Sequence, residues 1–194
     1  MLTKTAAPRR ALPADLPPIL VQVNKAIDGS DITITDLSAM LQHEPPRNTL
    51  NRWLRGSGSP LLGPLDKLLN LIGYRFVIVE TPTKAGQRLR DSTRDTRDRS
   101  KVRPEFKNRT LPDTVPPMMV EVYQFLEELN VNRVDLCRES GMSYTTIGHW
   151  LNGDSPPPLL MVDRFLNAAG YQLKVARGLL GPRRPAVPPA AAAE

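Results

Sequence analysis

Val134-Asp-Leu-Cys-Arg-Glu-Ser-Gly-Met-Ser-Tyr-Thr-Thr-Ile-Gly-His-Trp-Leu-Asn-Gly153 is the stretch on which the fold turns. Its punctuation predicts two short helices at an angle. Arg133–Ser140 has Asn132 ahead of it as a cap. Gly141 supplies a tight turn. A second helix then spans Tyr144–Asn152, and Gly153 stands where a left-handed C-terminal residue belongs. Ile147, Trp150 and Leu151 share one face and read as core anchors.

Working outward, the stretch lies inside one of two copies of a longer unit, and such a repeat governs every other assignment. Asp15-Leu-Pro-Pro-Ile-Leu-Val-Gln-Val recurs as Thr114-Val-Pro-Pro-Met-Met-Val-Glu-Val, and Asp36-Leu37 recurs as Asp135-Leu136, all displaced by 99 positions. Trp53-Leu54 with Gly56 matches Trp150-Leu151 with Gly153, and Gly73-Tyr74 matches Gly170-Tyr171, now displaced by 97, so the first copy carries two extra residues between Leu37 and Trp53.

Each copy predicts four short helices and a strand. Pro17-Pro18 and Pro116-Pro117 suit a first helical turn, where no N–H is needed. They lead into Leu20, Val23 and Ile27, and into Val122, Phe125 and Leu129. In copy one the second helix is expected over Asp36–Gln42, capped by Thr33 or Thr35, and the third over Arg47–Arg55 before Gly56. Fourth helices are expected to open near Pro60 and Pro157, with Leu62, Leu65, Leu69 and Ile72, and Leu159, Val162, Leu166 and Ala169, as core stripes. The β-like runs Tyr74-Arg-Phe-Val-Ile-Val and Tyr171-Gln-Leu-Lys-Val-Ala follow a glycine stop in each copy. A lone strand leaves its backbone groups unpaired, so these two are expected to pair and to relate the copies by a pseudo-twofold axis.

The stretch resembles the helix-turn-helix of the phage Cro and lambda-repressor-like (XRE-type) family. Leu136, Gly141, Ser143, Ile147 and the closing Trp-Leu-Asn-Gly carry the resemblance, which covers residues 16–79 and 115–176. It implies a mainly α chain of two tandem four-helix helix-turn-helix domains, residues 15–80 and 114–177. The function implied is a sequence-specific double-stranded DNA-binding transcriptional regulator, encoded by a bacterium or a phage. Base-reading roles are implied for Tyr144, Thr145 and His149, and phosphate contacts for Ser143, Asn152 and Arg133. His149 also reads as a solvated surface histidine, and Cys137 as a packed thiol.

Copy one departs from the family pattern at the turn. Its glycine is absent and His43-Glu-Pro-Pro46 lengthens the connection, which leaves the angle between the two helices open. Its third helix carries stronger reading chemistry: Arg47, Asn48 and Arg52 stand at the positions of Tyr144, Thr145 and His149. Arginine bonds guanine O6 and N7 bidentately, and asparagine does the same to adenine N6 and N7. Arg55 and Thr49 are placed to hold phosphates. The alternative is a set of solubilising surface arginines.

Composition bounds the rest. The 194 residues are 40% hydrophobic and 24% charged with a net charge of +6, in the soluble globular range and with two small cores expected. Residues 80–114 hold ten bases and six acids, whereas residues 115–176 hold four bases and seven acids. The basic segments favour a polyanionic partner. Arg88, Arg90, Arg94, Arg97 and Arg99 suit counterion release on any duplex, while Asp91, Asp95 and Asp98 suit a self-neutralising linker.

Residues 81–113 read as a charged coil spanning roughly 30–35 Å, similar to the ~34 Å between successive major-groove faces. Residues 1–14 read as a basic disordered arm and 178–194 as a Pro/Ala-rich tail. No membrane-spanning run and no secretory signal is read, so the bacterial cytosol or nucleoid is expected.

One cysteine and two distant histidines predict no metal site. No cofactor and no enzymatic activity are expected, in the absence of a P-loop, a paired-glycine fingerprint or a Ser/His/Asp set. Homodimerisation and RNA polymerase are further partner expectations, the latter through an acidic patch of Glu121, Glu127, Glu128 and Glu139. Competing readings are a protein-interaction module of antitoxin or anti-repressor type, and a DNA-organising protein without regulation.

Overall fold

A computed structural model describes residues 12–95 and 111–178 apart from 130 and 132. It is mostly helical with one two-stranded antiparallel sheet. The order is α1 (Pro18–Asp28), α2 (Ile34–Met40), α3 (Arg47–Leu54), α4 (Leu62–Leu71), β1 (Tyr74–Glu80), α5 (Lys84–Asp95), α6 (Pro117–Glu128), α7 (Arg133–Ser140), α8 (Tyr144–Asn152), α9 (Leu159–Ala168) and β2 (Tyr171–Arg177). Among the described residues no helix is long and apolar enough to cross a membrane.

The repeat holds throughout: α1–α4 and β1 correspond to α6–α9 and β2. Pro18 and Pro117 occupy the first helical turn of α1 and α6, as their fixed φ and missing N–H favour. Of the two threonines that could cap α2, Thr33 does so. Its Oγ1 accepts the Asp36 N–H at 3.1 Å and donates to Asp36 Oδ2 at 2.6 Å, so α2 starts at Ile34, two residues before the expected Asp36. In copy two Ser143 caps α8 by accepting the Thr146 N–H at 3.0 Å. The proposed Asn132 cap lies outside the described residues.

The two strands pair as the sequence predicts, in a register that carries a symmetry. Val77 faces Lys174, its own equivalent 97 residues on, and the pairing runs symmetrically outward to Tyr74 with Arg177 and Glu80 with Tyr171. The ends of the ribbon repeat the relation: Thr81 N–H donates to Gly170 O at 2.8 Å, and Gly178 N–H to Gly73 O at 2.8 Å. A second contact on the same pseudo-twofold axis joins Leu61 to Pro158. There Leu62 N–H donates to Pro157 O at 3.0 Å and Leu159 N–H to Pro60 O at 2.7 Å. Because Leu61 and Pro158 are extended for this bridge, α4 and α9 open at Leu62 and Leu159, two residues later than the prolines suggest.

This intimacy overturns two expectations. The two small cores are one: α1 contributes Leu20, Val23 and Ile27, α4 contributes Leu62, Leu65 and Leu69, and α6 and α9 contribute Met118, Met119, Val122, Val162 and Leu166, all to one continuous cluster. A Cβ on Gly63 of α4 would lie 3.1 Å from the Pro116 ring ahead of α6. Tertiary packing joins what the repeat pattern divides, because each four-helix unit and its strand leave apolar surface that only the other copy covers.

Nor are the copies held apart by a coil. Within residues 81–113, Lys84–Asp95 forms α5, which packs on α7 and α9. Leu89, the one large aliphatic residue of that segment's first half, is buried and anchors it. Residues 1–11 of the arm, residues 96–110 with Arg97 and Arg99, and the tail beyond Gly178 lie outside the described residues.

Candidate nucleic-acid interface

Helices α2 and α3 occupy the same place in copy one as α7 and α8 in copy two, and the turns between them solve one problem differently. In copy two the helix stops through Gly141, at φ +65°, with Gly141 N–H to Arg138 O at 3.2 Å and Met142 N–H to Cys137 O at 3.0 Å. Copy one makes the equivalent pair, Gln42 N–H to Ala39 O at 2.9 Å and His43 N–H to Ser38 O at 2.7 Å. Gln42 therefore does the work of the missing glycine at φ +57°, followed by His43 at +61°. A left-handed residue with a Cβ costs about 1–2 kcal/mol relative to the right-handed form. The two extra residues fall after this stop, between His43 and Arg47.

Leu50, Trp53 and Leu54 point α3 into the core, and Ile147, Trp150 and Leu151 do the same for α8. That leaves the opposite face of each helix outward. On α3 the outward residues line an open concavity formed by Arg47, Asn48, Asn51, Arg52, Arg55 and Ser57. Four of the residues expected to touch DNA are thus brought together. Thr49 is half-buried and stands outside the lining. Asn51 and Ser57 were missed. Asn51 is one turn beyond Arg47 on the same helical face, and its Nδ2 donates to Arg47 O at 3.1 Å; that spacing was legible. Ser57 was less so, since it enters only because the chain reverses at Gly56 and Ser57 N–H returns to Arg52 O at 2.8 Å.

On α8 the equivalent residues are exposed but engaged with one another. Arg133 stacks its guanidinium over the Tyr144 ring, 4.4 Å from the centroid. His149 Nδ1 lies 3.1 Å from Asp154 Oδ2, and Asn152 Nδ2 donates to the same oxygen at 3.3 Å. Asp154 is the equivalent of Ser57, placed by the same backbone reversal: Asp154 N–H donates to His149 O at 2.9 Å. Ser143 spends its hydroxyl on the cap, and Thr145 is exposed at the N-terminal end of the helix. The three arginines of copy one are therefore matched in copy two by a tyrosine under Arg133 and by a histidine and an asparagine that share the Asp154 carboxylate.

Cys137 is buried in α7, and burial pushes its thiol above the ordinary value against a smaller opposing pull from Arg133. Such a thiol is a poor nucleophile. Among the described residues no group of three His, Cys, Asp or Glu is placed to hold a metal ion. Asp163 ties α9 to β2 by accepting the Leu173 N–H at 2.8 Å. Burial raises its pKa, and the bonds from Leu173 and Asn167 oppose the rise.

Compared with known proteins, the chain matches no family model, no curated protein and no solved structure.

Proposed function

We propose that the protein is a sequence-specific double-stranded DNA-binding transcriptional regulator whose principal reading helix is α3. The concavity of Arg47, Asn48, Asn51, Arg52, Arg55 and Ser57 carries this reading. A short helix fits the major groove, and Arg47, Arg52 and Asn48 at its exposed face have the donor and acceptor patterns that guanine and adenine present there. Arg55 and Ser57, at the C-terminal end, hold phosphates and set the register. The helix-turn-helix resemblance noted in the sequence supports the same assignment by analogy of fold.

A second role is favoured for copy two by its own contacts. Arg133, His149 and Asn152 face partners within the protein, and an exposed tyrosine under an arginine is the composition of protein contact sites. In this reading α8 adds little base discrimination and presents a surface to another protein, RNA polymerase or a second copy among them.

Selection of binding sites from a random duplex pool tests the proposal, run at two salt concentrations on the intact chain, Arg47→Ala/Arg52→Ala and Tyr144→Ala/His149→Ala. The expected result is an enriched motif that the first variant loses and the second retains. No enrichment at either salt would overturn the DNA-reading function in favour of a protein-interaction module.

A further inference from the structure

Asn51 lines the α3 concavity but has no task in the DNA-reading function as proposed. It is half-buried between the exposed side chains of Arg47, Asn48, Arg52 and Arg55, at the middle of the outward face. Its equivalent on α8, 97 residues on, is Gly148, where a Cβ would meet nothing within 4 Å. The centre of one outward face holds a carboxamide, and the centre of the other is bare backbone with open space above it.

The carboxamide is held in place. Nδ2 donates to Arg47 O, one turn back, at 3.1 Å. Only the nitrogen can donate to a carbonyl, so this bond fixes which way the amide is turned. It uses one of two N–H groups, and the second N–H and Oδ1 are a donor and an acceptor side by side on one planar group. Asn24, Asn70 and Asn167 make the same bond to the carbonyl four residues back, but theirs are part-buried. Two of them also serve the fold: Asn24 donates to Leu54 O at 2.9 Å, and Asn167 to Asp163 Oδ2 at 3.2 Å. The Asn51 bond is exposed and stays within its own helical turn. Asparagine favours caps and turns over helix interiors, so the stability of α3 gives no reason for it at this place.

The hydrogen-bonding pattern selects what the group fits. In the major groove adenine sets the N6–H donor beside the N7 acceptor, and one amide satisfies both. Guanine offers two acceptors, cytosine a donor and thymine an acceptor. Each of these leaves part of the amide desolvated and unmatched, which is costly. An amide already held loses little conformational freedom on binding. Arg47 and Arg55 lie four residues either side, about 6 Å along the helix axis. Resting on the DNA-reading function, we propose that Asn51 is a further specificity-determining residue of α3, selecting adenine near the centre of the sequence that this helix reads. This selection is separate from any made by Asn48, and copy two has no counterpart to it.

Site selection from a random duplex pool tests this on the full chain, beside Asn51→Ala and Asn48→Ala. A motif enriched by the unaltered chain is what the DNA-reading function requires. Its absence would overturn that function, and this inference with it, before any variant is compared. With a motif in hand, Asn51→Ala is expected to lose the preference for adenine at one position and to keep the others. Asn48→Ala is expected to leave that position unchanged. Alanine is the better helix former, so α3 survives the substitution, and thermal unfolding checks that it does.

A second readout places 7-deazaadenine, which lacks the N7 acceptor, at that position of the selected duplex. The unaltered chain is expected to bind it about fivefold more weakly, as befits one bond of a bidentate pair. Asn51→Ala is expected to bind both duplexes alike. An unchanged motif in Asn51→Ala would overturn the proposal. So would an equal weakening at every position, which would make Asn51 a positioning residue, or the same 7-deazaadenine penalty in both proteins.

Discussion

α3 and α8 occupy equivalent places in a pseudo-twofold frame, are held by equivalent core residues and end in the same backbone reversal, yet they present opposite surfaces. Arg47, Arg52 and Arg55 on one correspond to Tyr144, His149 and Asn152 on the other, and Ser57 corresponds to Asp154. The scaffold residues have been kept while the outward residues have diverged. Packing constrains the inner face of a helix through volume and shape, whereas the outer face is free to specialise. A duplicated scaffold can therefore hold one cationic face and one face of another kind without changing its core.

Four perturbations sharpen or break that contrast. The largest effect is expected from Arg47→Ala/Arg52→Ala, which removes the two proposed base contacts, worth about 1–3 kcal/mol each in discrimination. Competition between selected and random duplexes measures it, and an equal loss against both would reduce the arginines to phosphate contacts. The same two-residue change at Tyr144 and His149 is expected to move discrimination far less.

Next is Val77→Pro, at the centre of the ribbon where the copies meet. It removes a backbone donor and is expected to cost about 2–3 kcal/mol, at the upper end of ordinary point substitutions. Chemical denaturation checks this, and a single shifted transition is expected, because one continuous core unfolds as a unit. Two separated transitions would mean that the copies are independent domains after all.

Gln42→Gly is smaller and opposite in sign. Relieving a left-handed side chain is expected to stabilise the protein by about 1 kcal/mol, less the extra entropy glycine brings to the unfolded chain. An unchanged melting temperature would show that the Gln42 side chain offsets its backbone cost. The smallest effect is expected from Asp154→Ser, which makes copy two resemble copy one at the carboxylate. An exposed pair such as His149 with Asp154 is worth well under about 1 kcal/mol, so stability should hardly change. Non-specific duplex affinity should rise slightly and its salt dependence steepen. A fall in affinity would mean that Asp154 orients a DNA contact.

Much of this was legible in one dimension. The displaced repeat placed all eight helices of the two copies and both strands, and the prolines, glycines and Ser143 marked their ends, because capping and turn chemistry are local. The cationic residues of α3 were legible through the repeat, which set Arg47, Asn48 and Arg52 at the positions of Tyr144, Thr145 and His149; helical spacing would have added Asn51. Thr49 is half-buried beside the concavity rather than in its lining, and Ser57 escaped because its position depends on a reversal of the chain. Residues 84–95 misled: a segment with Leu89 as its only large aliphatic residue has no apolar period, and α5 forms there against a groove supplied by α7 and α9. The pairing of His149 and Asn152 with Asp154 was equally hidden, since side-chain contacts across a turn leave no periodic trace.

By itself the sequence determined the repeat, the helix and strand types and the cationic character of α3, because each follows from the order of neighbouring residues. Only the tertiary structure decided that the copies share one core, that β1 and β2 meet at Val77 and Lys174, that Lys84–Asp95 is a helix, and that His149 and Asn152 share the Asp154 carboxylate. These depend on groups brought together from distant parts of the chain, where burial and pairing outweigh local preference.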